Sequence, residues 1–180
     1  RPDAIEHMGN PMTAQWVRIY ELYQASCDRA GLVDFADLLL RAHELWLNHP
    51  SLLDHYRSRL SHLLVDEFQD TNSIQYAWIR MLAGDDGSVL VVGDDDQSIY
   101  GWRGAQVENV QHFRRDFADV QVVKLEQNYR SSGNILEAAN ALIANNEDRM
   151  GKKLWTADDK GAPITLYSAF NEQDEARFVV

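Results

Sequence analysis

Over its first 60 residues the chain places apolar side chains at helical spacing. Trp16, Ile19, Tyr20, Tyr23 and Cys27 recur on one face of a 3.6-residue period. Asn10 followed by Pro11 reads as an N-cap with proline at the first helical position, and Gly31 supplies a stop. A second helix is expected from Asp34, burying Phe35, Leu38, Leu39, Ala42 and Leu45 with Trp46 at its margin, and Pro50 opens a short third one. From residue 61 the pattern changes. Residues 62–65, 88–92, 121–125 and 164–168 are short apolar or β-branched runs. They alternate with helical stretches near 73–82, 106–113 and 133–145, and a further helix begins at Asn171. Near-continuous apolar strands separated by helices predict a parallel sheet covered on both faces, an α/β fold. Residues 146–163 are polar and glycine-bearing, the mark of a surface connection.

Composition narrows the class. With 45% hydrophobic and 10% aromatic residues, the 180-residue chain can bury a core, and its length suits one domain or parts of two. Its single cysteine, Cys27, excludes an internal disulfide framework, and the six histidines show no zinc-ligand spacing. The opening Arg1-Pro2-Asp3-Ala4 is not a basic-then-apolar signal, and no apolar run approaches the ~20 residues of a membrane span. The expectation is a soluble, cytoplasmic protein without a membrane partner. A net charge of −11 opposes nucleic-acid binding, because phosphate neutralisation calls for a basic face. Much of the acid, however, is concentrated at Asp66, Glu67 and Asp70, at Asp85 and Asp86, and at Asp94, Asp95 and Asp96, where a bound metal would offset it. The local motifs therefore decide.

The first motif is Leu63-Leu64-Val65-Asp66-Glu67, an apolar strand ending in two carboxylates. Ligands of open parallel sheets bind beyond the carboxyl ends of the strands, where Asp66 and Glu67 emerge. One carboxylate can hold magnesium through water while its neighbour orients and deprotonates an attacking water. An acidic pair after a strand can equally begin an ordinary turn. The second motif runs from Val91-Val92-Gly93-Asp94-Asp95-Asp96-Gln97 through Ser98-Ile99-Tyr100-Gly101-Trp102-Arg103-Gly104-Ala105. Gln97 can contact both a phosphate oxygen and a water, and Tyr100, Trp102 and Arg103 set aromatic faces beside a cation, which suits stacking on exposed bases. The blander reading makes Trp102 a core residue and the three aspartates a solvated loop. A calcium loop is excluded, because Ile99 stands where such a loop starting at Asp94 needs glycine. In the third motif, Gln127-Asn128-Tyr129-Arg130-Ser131-Ser132, Tyr129 can stack on a purine and Arg130 can reach a phosphate. Alternatively, Arg130 pairs with a nearby acid such as Glu126.

Taken in order and spacing, these three segments, with Phe68-Gln69-Asp70-Thr71-Asn72 completing the first, resemble motifs II, III and IV of UvrD/Rep/PcrA-type superfamily-one DNA helicases. Asp34-Phe35-Ala36-Asp37-Leu38-Leu39 is similar to the segment preceding motif II there. The resemblance implies part of a RecA-like P-loop NTPase fold, with ATP held between two such domains. Residues 1–60 would be a helical insertion, 61–126 the second half of the first RecA-like domain, and 127–180 the start of the second. It implies that Asp66 holds magnesium, that Glu67 activates the hydrolytic water, and that Gln97 senses the γ-phosphate. Trp102 would stack on a base, with Tyr100 and Arg103 linking the nucleotide site to single-stranded DNA. Tyr129 would stack on adenine and Arg130 would reach the γ-phosphate. The implied activity is ATP-dependent unwinding of duplex DNA, 3′-to-5′, in repair or replication, with ATP and magnesium as cofactors and single-stranded and duplex DNA as partners.

The departures from that pattern also carry expectations. No Gly-x-x-x-x-Gly-Lys-Ser/Thr phosphate loop is present, and Gly151-Lys152-Lys153 does not supply one. The 180-residue piece alone is therefore expected to be inactive, and its open strand edges to favour self-association. Two rival readings remain: a metal-dependent nuclease or phosphatase built on Asp66, Asp70 and Asp94, Asp95 and Asp96, and an acidic interaction module. Neither accounts for Gln97, Trp102 and Tyr129-Arg130 together.

Overall fold

The computed structural model describes residues 5, 11–147 and 149–180; Asn10, expected to cap the first helix, lies outside them. The chain divides into two compact units, Arg1–Gly93 with Ile99–Asn109, and Asp94–Ser98 with Val110–Val180.

The first unit opens with three helices. Helix α1 spans Pro11–Ala30 and ends where Gly31 turns the chain at a φ of +66°, a conformation that favours glycine. Helix α2, Phe35–Asn48, starts where the Asp34 carboxylate accepts from the Asp37 amide, and α3, Pro50–Arg57, carries its proline in the first turn. The expected apolar face of α2 is covered only in part. Trp46 is buried against Trp78 (ring centroids 4.8 Å apart) and Tyr56 (5.9 Å), and the Trp78 indole donates to the Leu39 carbonyl at 3.1 Å. Phe35, by contrast, is 89% exposed, and Leu38 and Leu45 are exposed too. The strip through Leu39, Ala42 and Trp46 is the covered side of the helix. The strip through Phe35, Leu38 and Leu45 is left open among the described residues, which is why the predicted burial fails there.

A β–α–β unit follows. Strand β1 (His62–Val65) pairs in parallel with β2 (Ser88–Val91), Leu63 opposite Val89 and Val65 opposite Val91. Between them runs α4, Ser73–Ala83, opened by a reciprocal capping box in which Asn72 and Gln75 bond each other's backbone. Phe68, Tyr76, Ile79 and Ala83 form the core beside α4, and Leu53 joins it from α3. The sheet is covered on one face, not on both. Leu63, Val65, Val89 and Val91 are half-buried, while Leu64 and Leu90 are exposed among the described residues.

Two predicted strands do not form. Residues 121–125 and 164–168 are irregular, with Leu125 79% and Leu166 95% exposed. A strand exists through its ladder of inter-strand hydrogen bonds, and neither run has one among the described residues. The helix predicted at 106–113 begins later, as α5 (Asn109–Asp116), and the Gln106 amide ahead of it donates to the Thr71 carbonyl at 3.0 Å.

In the second unit Phe113 stacks on Phe117 at 4.5 Å, and Leu136 is buried on α6, Gly133–Ile143. The Asn140 side chain holds the connection by bonding both backbone groups of Leu154 (2.8 and 3.1 Å). Helix α7, Glu172–Val179, is capped by Asn171, and Phe178 stacks on Tyr167 at 3.9 Å. Among the described residues no helix is long and apolar enough to cross a membrane.

Candidate active site

Strand β1 delivers Asp66 and Glu67, both exposed, at its carboxyl edge. Glu67 adopts a left-handed backbone conformation, φ 49° and ψ 44°. Such a residue without glycine's freedom costs about 1–3 kcal/mol and persists only where its surroundings fix it. Three hydrogen bonds do so here. Asp66 Oδ1 accepts from the Glu67 amide at 2.9 Å, the Glu67 carbonyl accepts from the Asp70 amide at 2.9 Å, and Gln69 Nε2 donates to Glu67 Oε2 at 2.7 Å. Gln69 and Phe68 are each 2% exposed, in the 3₁₀ turn that follows. One Asp70 oxygen, Oδ1, is buried without a hydrogen-bond partner among the described residues. Gly93, at the end of β2, makes room for Gln69. A Cβ at this position would stand 2.7 Å from Gln69 Oε1 and 3.2 Å from the Phe68 amide nitrogen.

The same unit joins this turn to the aromatic loop. Thr71 Oγ1 donates to the Phe68 carbonyl at 2.7 Å, and Asn109, 1% exposed, donates to both the Thr71 carbonyl (2.9 Å) and Thr71 Oγ1 (3.1 Å). Asn72 and Ala105 form an isolated antiparallel bridge. Between these ties the loop turns over Gly101–Arg103. Trp102 is 76% exposed, which removes the reading of it as a core residue. The Arg103 guanidinium sits 4.8 Å from the Tyr100 ring centre and 4.7 Å from that of Trp102. These three residues thus form one cation–aromatic cluster, as the sequence suggested.

The second unit holds the other expected residues. Gln97 closes the 3₁₀ turn Asp95–Gln97, and its Nε2 donates to Asp94 Oδ2 at 2.7 Å. The acidic trio, where a metal could offset the charge, is met by cations and a backbone donor. Lys152 Nζ pairs with Asp94 and Arg149 makes a two-pronged contact with Asp96, while the Met150 amide donates to Asp95 at 2.6 Å. The carboxylate oxygens of the trio lie within 4.8 Å of one another, but each residue already has a donor, which undercuts the nuclease reading. Partial burial pushes the Asp94 carboxyl up, and the bonds from Lys152 and Gln97 outweigh it, so Asp94 ionises below its ordinary value. Further along, Asn128 Oδ1 accepts from the amides of Arg130 (2.9 Å) and Ser131 (2.8 Å). This turn presents Tyr129, 81% exposed, beside Arg130. The Arg130 guanidinium has no carboxylate partner among the described residues, and Glu126 accepts from the Lys153 amide.

Spacing alone did not reveal Gln69, Gly93, Asn109, Arg149 or Lys152. Gln69 lay inside a quoted motif, and an amide two residues from the second of the paired carboxylates was the available signal.

Residues 1–118 match the family model of the UvrD/REP helicase N-terminal domain. The chain belongs to the UvrD/REP helicase family. Residues 123–180 of this UvrD-type chain match the UvrD-like helicase C-terminal domain. It is 68% identical over 180 residues to DNA helicase II of Salmonella typhimurium, covering 100% of this chain and 25% of that protein. DNA helicase II of Haemophilus influenzae is 60% identical over 179 residues (99% and 24%), and the ATP-dependent DNA helicase PcrA of Leuconostoc citreum 48% over 162 (90% and 22%). The UvrD-type chain thus spans about a quarter of the length of the curated relatives it matches.

Proposed function

We propose that this chain is a segment of an ATP-dependent DNA helicase that couples ATP hydrolysis to strand separation. The observation that carries the reading is Glu67. Its carboxylate is exposed at the carboxyl edge of a parallel β–α–β unit, on a left-handed turn fixed by Asp66 and Gln69. In our reading residues 61–126 and 127–180 belong to two RecA-like domains, and 1–60 to a helical insertion. Glu67 accepts the proton of the attacking water, Gln97 bonds the terminal phosphate, Tyr129 stacks on adenine, and Arg130 neutralises charge developing on the transferred group. Asp66 suits magnesium, being an exposed oxygen donor with one oxygen turned to the Glu67 amide. When bound, the ion offsets phosphate charge. Trp102 and Arg103, in the unit that carries Glu67, offer a face for stacking on single-stranded DNA.

In this reading the relatives named for helicase activity describe the full-length protein, which we place in the cytoplasm, acting 3′-to-5′ in repair or replication. The test is strand displacement by the full-length protein on duplexes with a 3′ or a 5′ single-stranded tail. ATP- and magnesium-dependent displacement of the 3′-tailed duplex is expected. Stable DNA binding with no displacement from either substrate would overturn the reading.

A further inference from the structure

Catalysis by a carboxylate requires that it be held, and in this turn the holding group is a neutral amide with almost no access to solvent. Gln69 Nε2 donates to Glu67 Oε2 at 2.7 Å, and Gln69 is 2% exposed. On its other side the amide abuts Gly93, where a Cβ would come within 2.7 Å of Gln69 Oε1. The backbone beneath is equally constrained. The Phe68 amide donates to the Val92 carbonyl at 2.9 Å, and the Val92 amide donates to the Val65 carbonyl at 2.8 Å. The Gln69 amide is therefore wedged between the ends of β1 and β2 and has little freedom of its own.

We infer that Gln69 is a positioning residue for the Glu67 carboxylate, seated by the absence of a side chain at Gly93. The inference rests on Glu67 acting as the base in ATP hydrolysis. An exposed glutamate on a turn would otherwise sample several rotamers. The buried amide selects one of them by occupying Oε2, so that Oε1 remains the oxygen offered to water. A fixed carboxylate need not be ordered again in each catalytic cycle, and misplacing a reacting group by about 1 Å can cost on the order of 10²-fold in rate. The bond also explains why an amide stands at position 69. A lysine would neutralise Glu67, and a carboxylate would repel it.

Two experiments test this. In the full-length protein, Gln69→Met keeps the side chain's length and bulk and removes the donor. Turnover should fall by about 10- to 100-fold while KM for ATP stays within about three-fold. In a Glu67→Gln background the same change should cause no further loss, because its effect passes through the carboxylate. Gly93→Ala, which retains the Gln69 side chain but displaces its amide, should reproduce the split between kcat and KM. In the 180-residue chain, Glu67→Ala should shift the NMR signals of the Gln69 side-chain amide and speed their hydrogen exchange. If Glu67→Gln itself retains turnover, the assignment of the base fails. If Glu67→Gln is inactive but folded Gln69→Met and Gly93→Ala both turn over normally, the positioning role fails. A Gln69 amide signal indifferent to Glu67→Ala also overturns it.

Discussion

Asn109 offers the clearest energetic test of how the acidic turn is tied to the aromatic loop. Its Nδ2 lies in a site 1% exposed and donates to the Thr71 carbonyl at 2.9 Å and to Thr71 Oγ1 at 3.1 Å. Truncation to alanine removes both bonds, each worth about 1 kcal/mol net. It strands neither acceptor, because the Thr71 carbonyl still receives the Gln106 amide at 3.0 Å and the Thr71 hydroxyl still donates to Phe68. Asn109→Ala should therefore cost about 2 kcal/mol, with a small addition for the space left. Asn109→Asp has nearly the same shape but replaces the donor with a carboxylate oxygen facing two acceptors. An unpaired buried charge costs about 3–5 kcal/mol, so the isosteric change should be the worse one. Urea unfolding of the 180-residue chain, followed by tryptophan fluorescence, reports both through the midpoint at constant slope. If Asn109→Asp is milder than Asn109→Ala, or lies within about 1 kcal/mol of the wild type, Asn109 fills space and does not tie the two segments.

In the full-length protein, Arg130→Lys keeps the charge but loses the planar fork, so DNA-stimulated ATPase should fall by orders of magnitude; turnover within a few-fold of wild type would leave Arg130 without that role. Trp102→Ala should weaken binding to an oligothymidine by about 1–3 kcal/mol, read by fluorescence anisotropy, and unchanged affinity would remove the stacking face. Asp94 has a depressed folded-state pKa, so its contribution to stability is complete above the unfolded value near 3.9 and is lost as pH falls through the folded one. Lys152→Met removes a lowering partner, and the Asp94 carboxyl carbon should then titrate by NMR at higher pH than in the wild type; an unmoved midpoint would mean that the pair contributes nothing.

The parts of the fold legible from sequence were those encoded locally. The proline starts of α1 and α3 and the two runs flanking α4 carry their signals within a few residues. The acidic pair at the end of β1 and the exposed aromatics beside Arg103 were legible for the same reason. What depended on distant partners was not. The runs at 121–125 and 164–168 have strand-like composition, yet a strand is defined by a neighbour they lack among the described residues. Phe35 and Leu38 fit the helical period as well as Trp46 does, but Trp46 alone on that helix is buried. Asn109 meets Thr71 across 38 positions, and Arg149 meets Asp96 across 53, so no local spacing announces either pair. The cations that meet the acidic trio, Lys152 and Arg149, went unread for that reason.

The central claim is that Glu67, on its left-handed turn beyond β1, is the base of an ATP-hydrolysing motor. Glu67→Gln in the full-length protein tests it most directly, because the amide preserves shape and cannot take the proton of the water. ATP hydrolysis is measured at saturating single-stranded DNA, with nucleotide and DNA affinities measured beside it. The account predicts near-complete loss of turnover with both affinities retained. Near-normal turnover in a folded Glu67→Gln protein would contradict it.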